Sequence, residues 1–150
     1  MPELSRHLEV AGLASSLGGR KESRMSKPVP GSVTWRDVTV EDADSLRGFY
    51  ESVAGWTSSP IDQGGYNDFV MIDSEGNGVG GICHARGSNV DLPAQWLIYI
   101  TVDDLDVRLE QVVSLGGKIV NGPRNVGADR MAVIEDPAGA VCALYEPAAD

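Results

Sequence analysis

The chain is poor in cysteine, in histidine, in basic charge and in long apolar runs. Its two cysteines, Cys83 and Cys142, stand inside apolar strand-like stretches rather than at loop positions. They read as small buried hydrophobes suited to a reducing cytoplasm, not as the staples of a disulfide scaffold. No stretch reaches the ~18 consecutive apolar residues of a membrane helix, so no membrane partner is expected. Lysine and arginine number 12 against 22 aspartates and glutamates, and five of those bases fall within residues 1–30, leaving seven bases against nineteen acids in the remainder. A surface of that sign repels a phosphate backbone, and no nucleic acid is expected as a partner. The two histidines are His7 and His84. Neither falls where the chain's repeat would set it beside Ser32, Ser45, Ser52 or Ser114, so no nucleophile triad is visible.

What the chain does have is an internal repeat. Thr39-Val40-Glu41-Asp42-Ala43-Asp44 returns sixty-two residues later as Thr101-Val102-Asp103-Asp104-Leu105-Asp106. The same offset lays Gly55 on Gly117, and Asp73-Ser74-Glu75-Gly76 matches Asp136-Pro137-Ala138-Gly139 with one residue inserted. Units of about sixty residues are too long for a solenoid and suit two supersecondary modules that bury apolar faces together. Residues 1–30 read as a disordered tail: the weak stripe Leu8, Val10, Leu13 and Leu17 is broken by Glu9, Ser15 and Ser16, unlike the core of a secretory leader. Residues 31–150 form one domain, with module one at 31–84, a linker at 85–95 and module two at 96–147.

Alternation over Val33 to Val40 predicts a strand with Trp35, Asp37 and Thr39 on one face and Val38 and Val40 on the other. Asp42 is placed to cap a helix striped by Ala43, Leu46, Phe49, Tyr50 and Val53 that stops at Gly55. Strands near Trp56–Ser59, Tyr66–Asp73 and Val79–His84 follow, the last two joined at Gly76-Asn77-Gly78. Module two repeats this pattern. It has a strand with Leu97, Tyr99 and Thr101 on one face, a helix from about Asp104 to Leu115 striped by Leu105, Leu109, Val112 and Val113, and strands at Lys118–Asn121, Arg130–Glu135 and Val141–Glu146. The expected fold is α+β, two βαβββ modules in a cupped mixed sheet with helices outside and the opposite faces lining a shared concavity.

These residues carry a family resemblance. Trp35-x-Asp37, Gly55-Trp56, Val79-Gly80-Gly81-Ile82, Trp96-x-x-Tyr99-x-x-Val102-x-Asp104-x-Asp106, Gly116-Gly117-Lys118 and Arg130-Met131-Ala132 through Asp136-Pro137-x-Gly139 together resemble the vicinal oxygen chelate superfamily. That group contains the glyoxalases, bleomycin-resistance proteins and extradiol dioxygenases, and the similarity covers about residues 32–147. It is nearest to bacterial glyoxalase-like proteins related to lactoylglutathione lyase. The resemblance implies a small-molecule site in the cup, often with a divalent metal. The positions that would hold that metal fall on Trp35, Gly80, Leu97 and Ala143, none of which is a ligand, so no metal and no other cofactor is expected there. His84 is expected to be a satisfied or solvent-facing strand-end residue.

Without that Lewis acid, the favoured reading is a metal-independent protein that binds a small aromatic or carbonyl-bearing metabolite. Its ligand-binding candidates are Trp35, Asp37, Gly80, Tyr99, Arg130, Ala143 and Tyr145. The alternative is a lyase or isomerase with Asp37 as general base, desolvated beside an indole, and Tyr99 or Arg130 polarising the substrate. A homodimer is the default assembly, closed two-fold pairing being the commonest among soluble proteins.

Overall fold

The computed structural model describes residues 28–149, so the expectations for the tail, including His7, lie largely outside the described residues. The elements run β1 (Val33–Val40), α1 (Ala43–Val53), β2 (Thr57–Asp62), β3 (Asn67–Ile72), β4 (Gly78–His84), a 3-10 turn (Gly87–Asn89), β5 (Trp96–Thr101), α2 (Leu105–Ser114), β6 (Lys118–Val126), β7 (Asp129–Glu135) and β8 (Val141–Glu146). This is βαβββ twice over, an α+β fold with mixed strand pairing: β1 with β4 and β5 with β8 are parallel, while the hairpin partners are antiparallel.

The chain divides into two compact units, one holding Arg36–Trp96, the other running to Trp35 and resuming at Leu97. The sequence reading divides it at 84 and 96. The start of β1 belongs with the second unit because the Gly31 N–H donates to the Thr101 carbonyl at 2.8 Å and the Thr101 N–H donates to the Ser32 carbonyl at 2.9 Å. In the first unit the strand order is β2-β3-β4-β1, and α1 covers a cluster of Val38, Ala43, Phe69, Met71 and Ile82. In the second the order is β5-β8-β7-β6, and α2 covers Leu105, Leu109, Ala132, Ile134 and Leu144.

The repeat is physical as well as textual. Asp42 caps α1 by accepting from the Ser45 N–H, and Asp104, sixty-two residues on, caps α2 by accepting from the Val107 N–H. The two hairpin turns are copies: Asp73 Oδ1 accepts from the N–H groups of Glu75 and Asn77, and Asp136 Oδ1 accepts from those of Ala138 and Ala140, at 2.9 to 3.0 Å. Gly76 and Gly139 close them with φ of 86° and 87°. One alignment slips. The helices end at left-handed Gly55 and Gly116, so Gly116 rather than Gly117 is the counterpart of Gly55.

Two helix stripes are narrower than expected. Phe49 is 54% exposed and Val53 67% exposed, leaving Ala43, Leu46 and Tyr50 on the core side of α1. Phe49 sits about 100° round the helix from Tyr50, off the buried arc. Val113 on α2 is exposed for the same reason, being one residue past the packed Val112. Strand β6 outruns its predicted end because pairing with β7 continues through Asn125↔Arg130 where the apolar pattern has stopped.

Candidate functional site

Register in the second unit brings three of the predicted residues to one face. Tyr99 pairs with Ala143 and Thr101 with Tyr145, while across the next strand boundary Val133 pairs with Ala143 and Met131 with Tyr145. Laterally paired residues point to the same side of a sheet. Tyr99, Ala143, Met131 and Val133 are buried, and Ala143 keeps the centre of this face small. The Tyr145 hydroxyl donates to Asp129, whose other oxygen accepts from the Ala148 N–H at 2.7 Å. Burial first, and Asp129 second, push the Tyr145 pKa far up, so its phenol stays protonated and serves as a fixed donor.

Along β1 the predicted alternation holds: Trp35, Asp37 and Thr39 are all buried, with Asp37 only 3% exposed. Gly81 lies level with Asp37, and Cys83 with Thr39. Burial, then the charges of Asp37 and Asp68, raise the Cys83 thiol well above its ordinary range, so it is an inert small hydrophobe rather than a nucleophile. The Trp35 indole Nε1 is buried and has no hydrogen-bond partner among the described residues. A buried donor left in that condition costs about 1–3 kcal/mol, and a ligand acceptor placed against it would recover that penalty.

Two candidates stand elsewhere. Gly80 is in register with Met71, one residue out of step with Gly81, and a Cβ on it would meet the Arg36 carbonyl at 3.1 Å and the Trp96 ring at 3.4 Å. It therefore belongs to the face that α1 covers, opposite Asp37, since a one-residue step along a strand reverses the side. Arg130 likewise shares the parity of Ala132 and Ile134 under α2. Its guanidinium makes two 2.9 Å bonds to the Asp106 carboxylate and lies 3.7 Å from Glu146, which engages it as a structural ion pair.

The resemblance implies a metal, and the residues at its positions do not fit one. The Trp35 N–H can only donate, Leu97 and Ala143 carry no polar side-chain atom, and Gly80 carries no side chain at all. A recess of about 600 Å³ in the second unit, lined by Pro28, Pro30, Thr101, Glu146 and Pro147 among others, contains none of the predicted residues. The sequence reading missed the surroundings of His84. This residue is buried, with Asp44 and Asp68 carboxylate oxygens each 3.5 Å from one of its ring nitrogens. The textual signal was available, because the sixty-two-residue offset lays His84 on Glu146 and Asp44 on Asp106.

The family described as the Glyoxalase/Bleomycin resistance protein/Dioxygenase superfamily matches residues 32–144. The anthracycline biosynthesis protein DnrV of Streptomyces peucetius is 30% identical over 134 residues, covering 81% of this chain and 49% of its own length. The chain spans about half the length of the curated relatives it matches. Solved structures share the fold at low identity. A hypothetical protein of Bacillus halodurans aligns with a TM-score of 0.52 at 12% identity, covering 80% of this chain and 96% of that one. A methylmalonyl-CoA epimerase of Streptomyces coelicolor aligns with a TM-score of 0.50 at 15% identity, covering 81% and 100%.

Proposed function

Because the chain belongs to the Glyoxalase/Bleomycin resistance protein/Dioxygenase superfamily, we propose that it binds a small aromatic or carbonyl-bearing organic molecule, without a metal at the positions of Trp35, Gly80, Leu97 and Ala143. The observation that carries this reading is the buried Trp35 indole N–H with no acceptor among the described residues. It is a ready donor for a ligand carbonyl, on a ring whose face also favours an aromatic partner. Tyr99, Ala143 and Tyr145 supply a second surface of the same character, two phenols around a small residue. The name of DnrV, an anthracycline biosynthesis protein, points to the same ligand class, fused aromatic rings bearing carbonyls.

Titration of the untagged full chain with an anthracycline, read by tryptophan fluorescence and native mass spectrometry, tests this. One ligand per chain is expected, with affinity reduced about five- to tenfold in Trp35→Phe, the worth of roughly one hydrogen bond. Equal affinity in the variant and the parent removes Trp35 from the site. The same spectrum counts subunits. We take the chain as a homodimer in a reducing cytoplasm, closed two-fold pairing being the commonest assembly and the thiols of Cys83 and Cys142 being free.

A second reading, lyase or isomerase chemistry, is favoured by one feature: Asp37 is a carboxylate almost wholly withdrawn from water. There it would take a proton from the substrate. Turnover abolished by Asp37→Asn with ligand affinity retained supports that reading; affinity retained with no turnover in the parent chain sinks it.

A further inference from the structure

The end of β4 and the start of α1 bring together three side chains that neither reading above uses. His84 is paired with Val40, the last residue of β1, after which the chain turns through Asp42 into α1. One donor atom from each of Asp42, Asp44 and His84 lies within 4.8 Å of the others. We propose that these three residues form a site for one divalent cation of the zinc class, with Asp68 as the residue that positions the imidazole.

Acids at a helix start are ordinarily explained by capping and by the helix dipole. Asp42 does cap, accepting the Ser45 N–H at 3.1 Å and the Ser45 hydroxyl at 2.7 Å, which leaves each oxygen a second lone pair. That explanation does not reach His84. The imidazole is 4% exposed, and it stands between two carboxylates, Nε2 3.5 Å from Asp44 and Nδ1 3.5 Å from Asp68. A buried imidazole thus turns Nε2 toward the exposed acids at the start of α1 and Nδ1 toward buried Asp68.

The one short separation in the cluster is compatible with shared coordination. A tetrahedral ion with bonds of about 2.0–2.1 Å separates its donors by about 3.3–3.4 Å, close to the 3.5 Å between Nε2 and Asp44 Oδ2. Behind the ring, Asp68 Oδ1 lies 3.5 Å from Nδ1 and is itself fixed by the His84 backbone N–H at 2.8 Å. A carboxylate on the far nitrogen of a ligating histidine is the usual means of fixing its tautomer and orientation. One imidazole and two carboxylates suit a zinc-class ion, whereas calcium and magnesium call for more oxygens than this cluster offers.

The second unit is an internal control. Its residues at the same offset are Asp104, Asp106 and Glu146, and there a cation is built in: the Arg130 guanidinium bonds Asp106 and lies against Glu146. Strands β3 and β7 align at an offset of sixty-three, since Phe69↔Ile82 corresponds to Ala132↔Leu144, so the counterpart of Arg130 is Asn67. The first unit keeps the acids, exchanges a carboxylate for an imidazole and has no arginine at that position.

The test uses the full chain after dialysis against chelator, titrated calorimetrically with zinc chloride, with cobalt(II) absorption as a second readout. Saturable uptake of one zinc per chain is expected, with a rise in Tm and a tetrahedral cobalt spectrum. Asp44→Asn, at a side chain 65% exposed, should fold as the parent does and bind zinc at least about tenfold more weakly. His84→Gln should lose the cobalt band. No saturable uptake overturns the proposal. So does uptake of equal affinity in the parent and in Asp44→Asn, which would place the zinc on other groups such as the thiols.

Discussion

Two glycine-to-alanine changes should move stability in opposite directions, and the structure gives the sign of each. Gly48 lies in the interior of α1, and a Cβ built on it meets nothing within 4 Å. Alanine there gains helix propensity and loses nothing, so Gly48→Ala should stabilise the chain by about 0.8–1 kcal/mol. Gly117 follows α2, and its Cβ would stand 2.8 Å from the Glu135 carbonyl oxygen, 2.9 Å from Val112 Cγ1 and 3.0 Å from the Val112 carbonyl oxygen. Two of those atoms are backbone, so relief requires moving β7 or the end of α2, and overpacking of that kind costs about 1–3 kcal/mol. The Gly117 N–H also donates to the Val112 carbonyl at 2.8 Å, a bond worth about 0.5–1.5 kcal/mol that the displacement would strain. The gain from a stiffer unfolded chain offsets about 0.4–1 kcal/mol. Gly117→Ala should therefore be destabilised by about 1–3 kcal/mol net. Urea unfolding followed by circular dichroism reads both, and the slope with denaturant should be unchanged so that midpoints carry the whole effect. At this chain length each kcal/mol corresponds to roughly 2–4 °C in Tm. A Gly117→Ala variant as stable as the parent, or a Gly48→Ala variant less stable, refutes the reasoning.

Tyr145→Phe deletes the hydroxyl that donates to Asp129 and should cost about 1–2 kcal/mol by urea unfolding, a bond to a charged acceptor being lost while the Ala148 N–H keeps the other oxygen. Because the folded pKa of Tyr145 lies above its ordinary 10.0, the unfolded chain ionises first. Stability should fall as pH climbs past about 10, less steeply in the variant. Asp73 behaves oppositely: its pKa is lowered from 3.8, first by the Asn77 N–H. The stability it contributes is present above 3.8 and lost as pH falls through the lowered value, and Asp73→Asn should flatten the urea midpoint across that acid window while keeping the turn. Gly80→Ala should shift tryptophan emission, by crowding the Trp96 ring, and leave anthracycline affinity unchanged; reduced affinity with unshifted emission would return Gly80 to the ligand face.

The parts of the fold that could be read from the sequence are those set by local chemistry. Asp42 and Asp104 announce helix starts, and Asp73 and Asp136 announce hairpins, because each carboxylate satisfies backbone donors within four residues of itself. The faces of β1 and β5 were legible for a related reason: alternation between polar or aromatic and aliphatic residues fixes side-chain direction without knowledge of any neighbour. The Gly80 error comes from a residue with no side chain to declare its face. It was chosen through the family resemblance, and register alone sets it one step from Gly81 and so opposite Asp37. The surroundings of Arg130 and His84 were out of reach of the sequence for the complementary reason. The partner of Arg130 lies twenty-four residues back at the start of α2, and the neighbours of His84 lie forty and sixteen residues back, on α1 and β3. Only the repeat joins these distant positions: matching Asp44 to Asp106 and His84 to Glu146 turns two unrelated-looking polar residues into one recurring corner of the fold. In one copy of that corner a guanidinium neutralises the acids, and in the other an imidazole faces them.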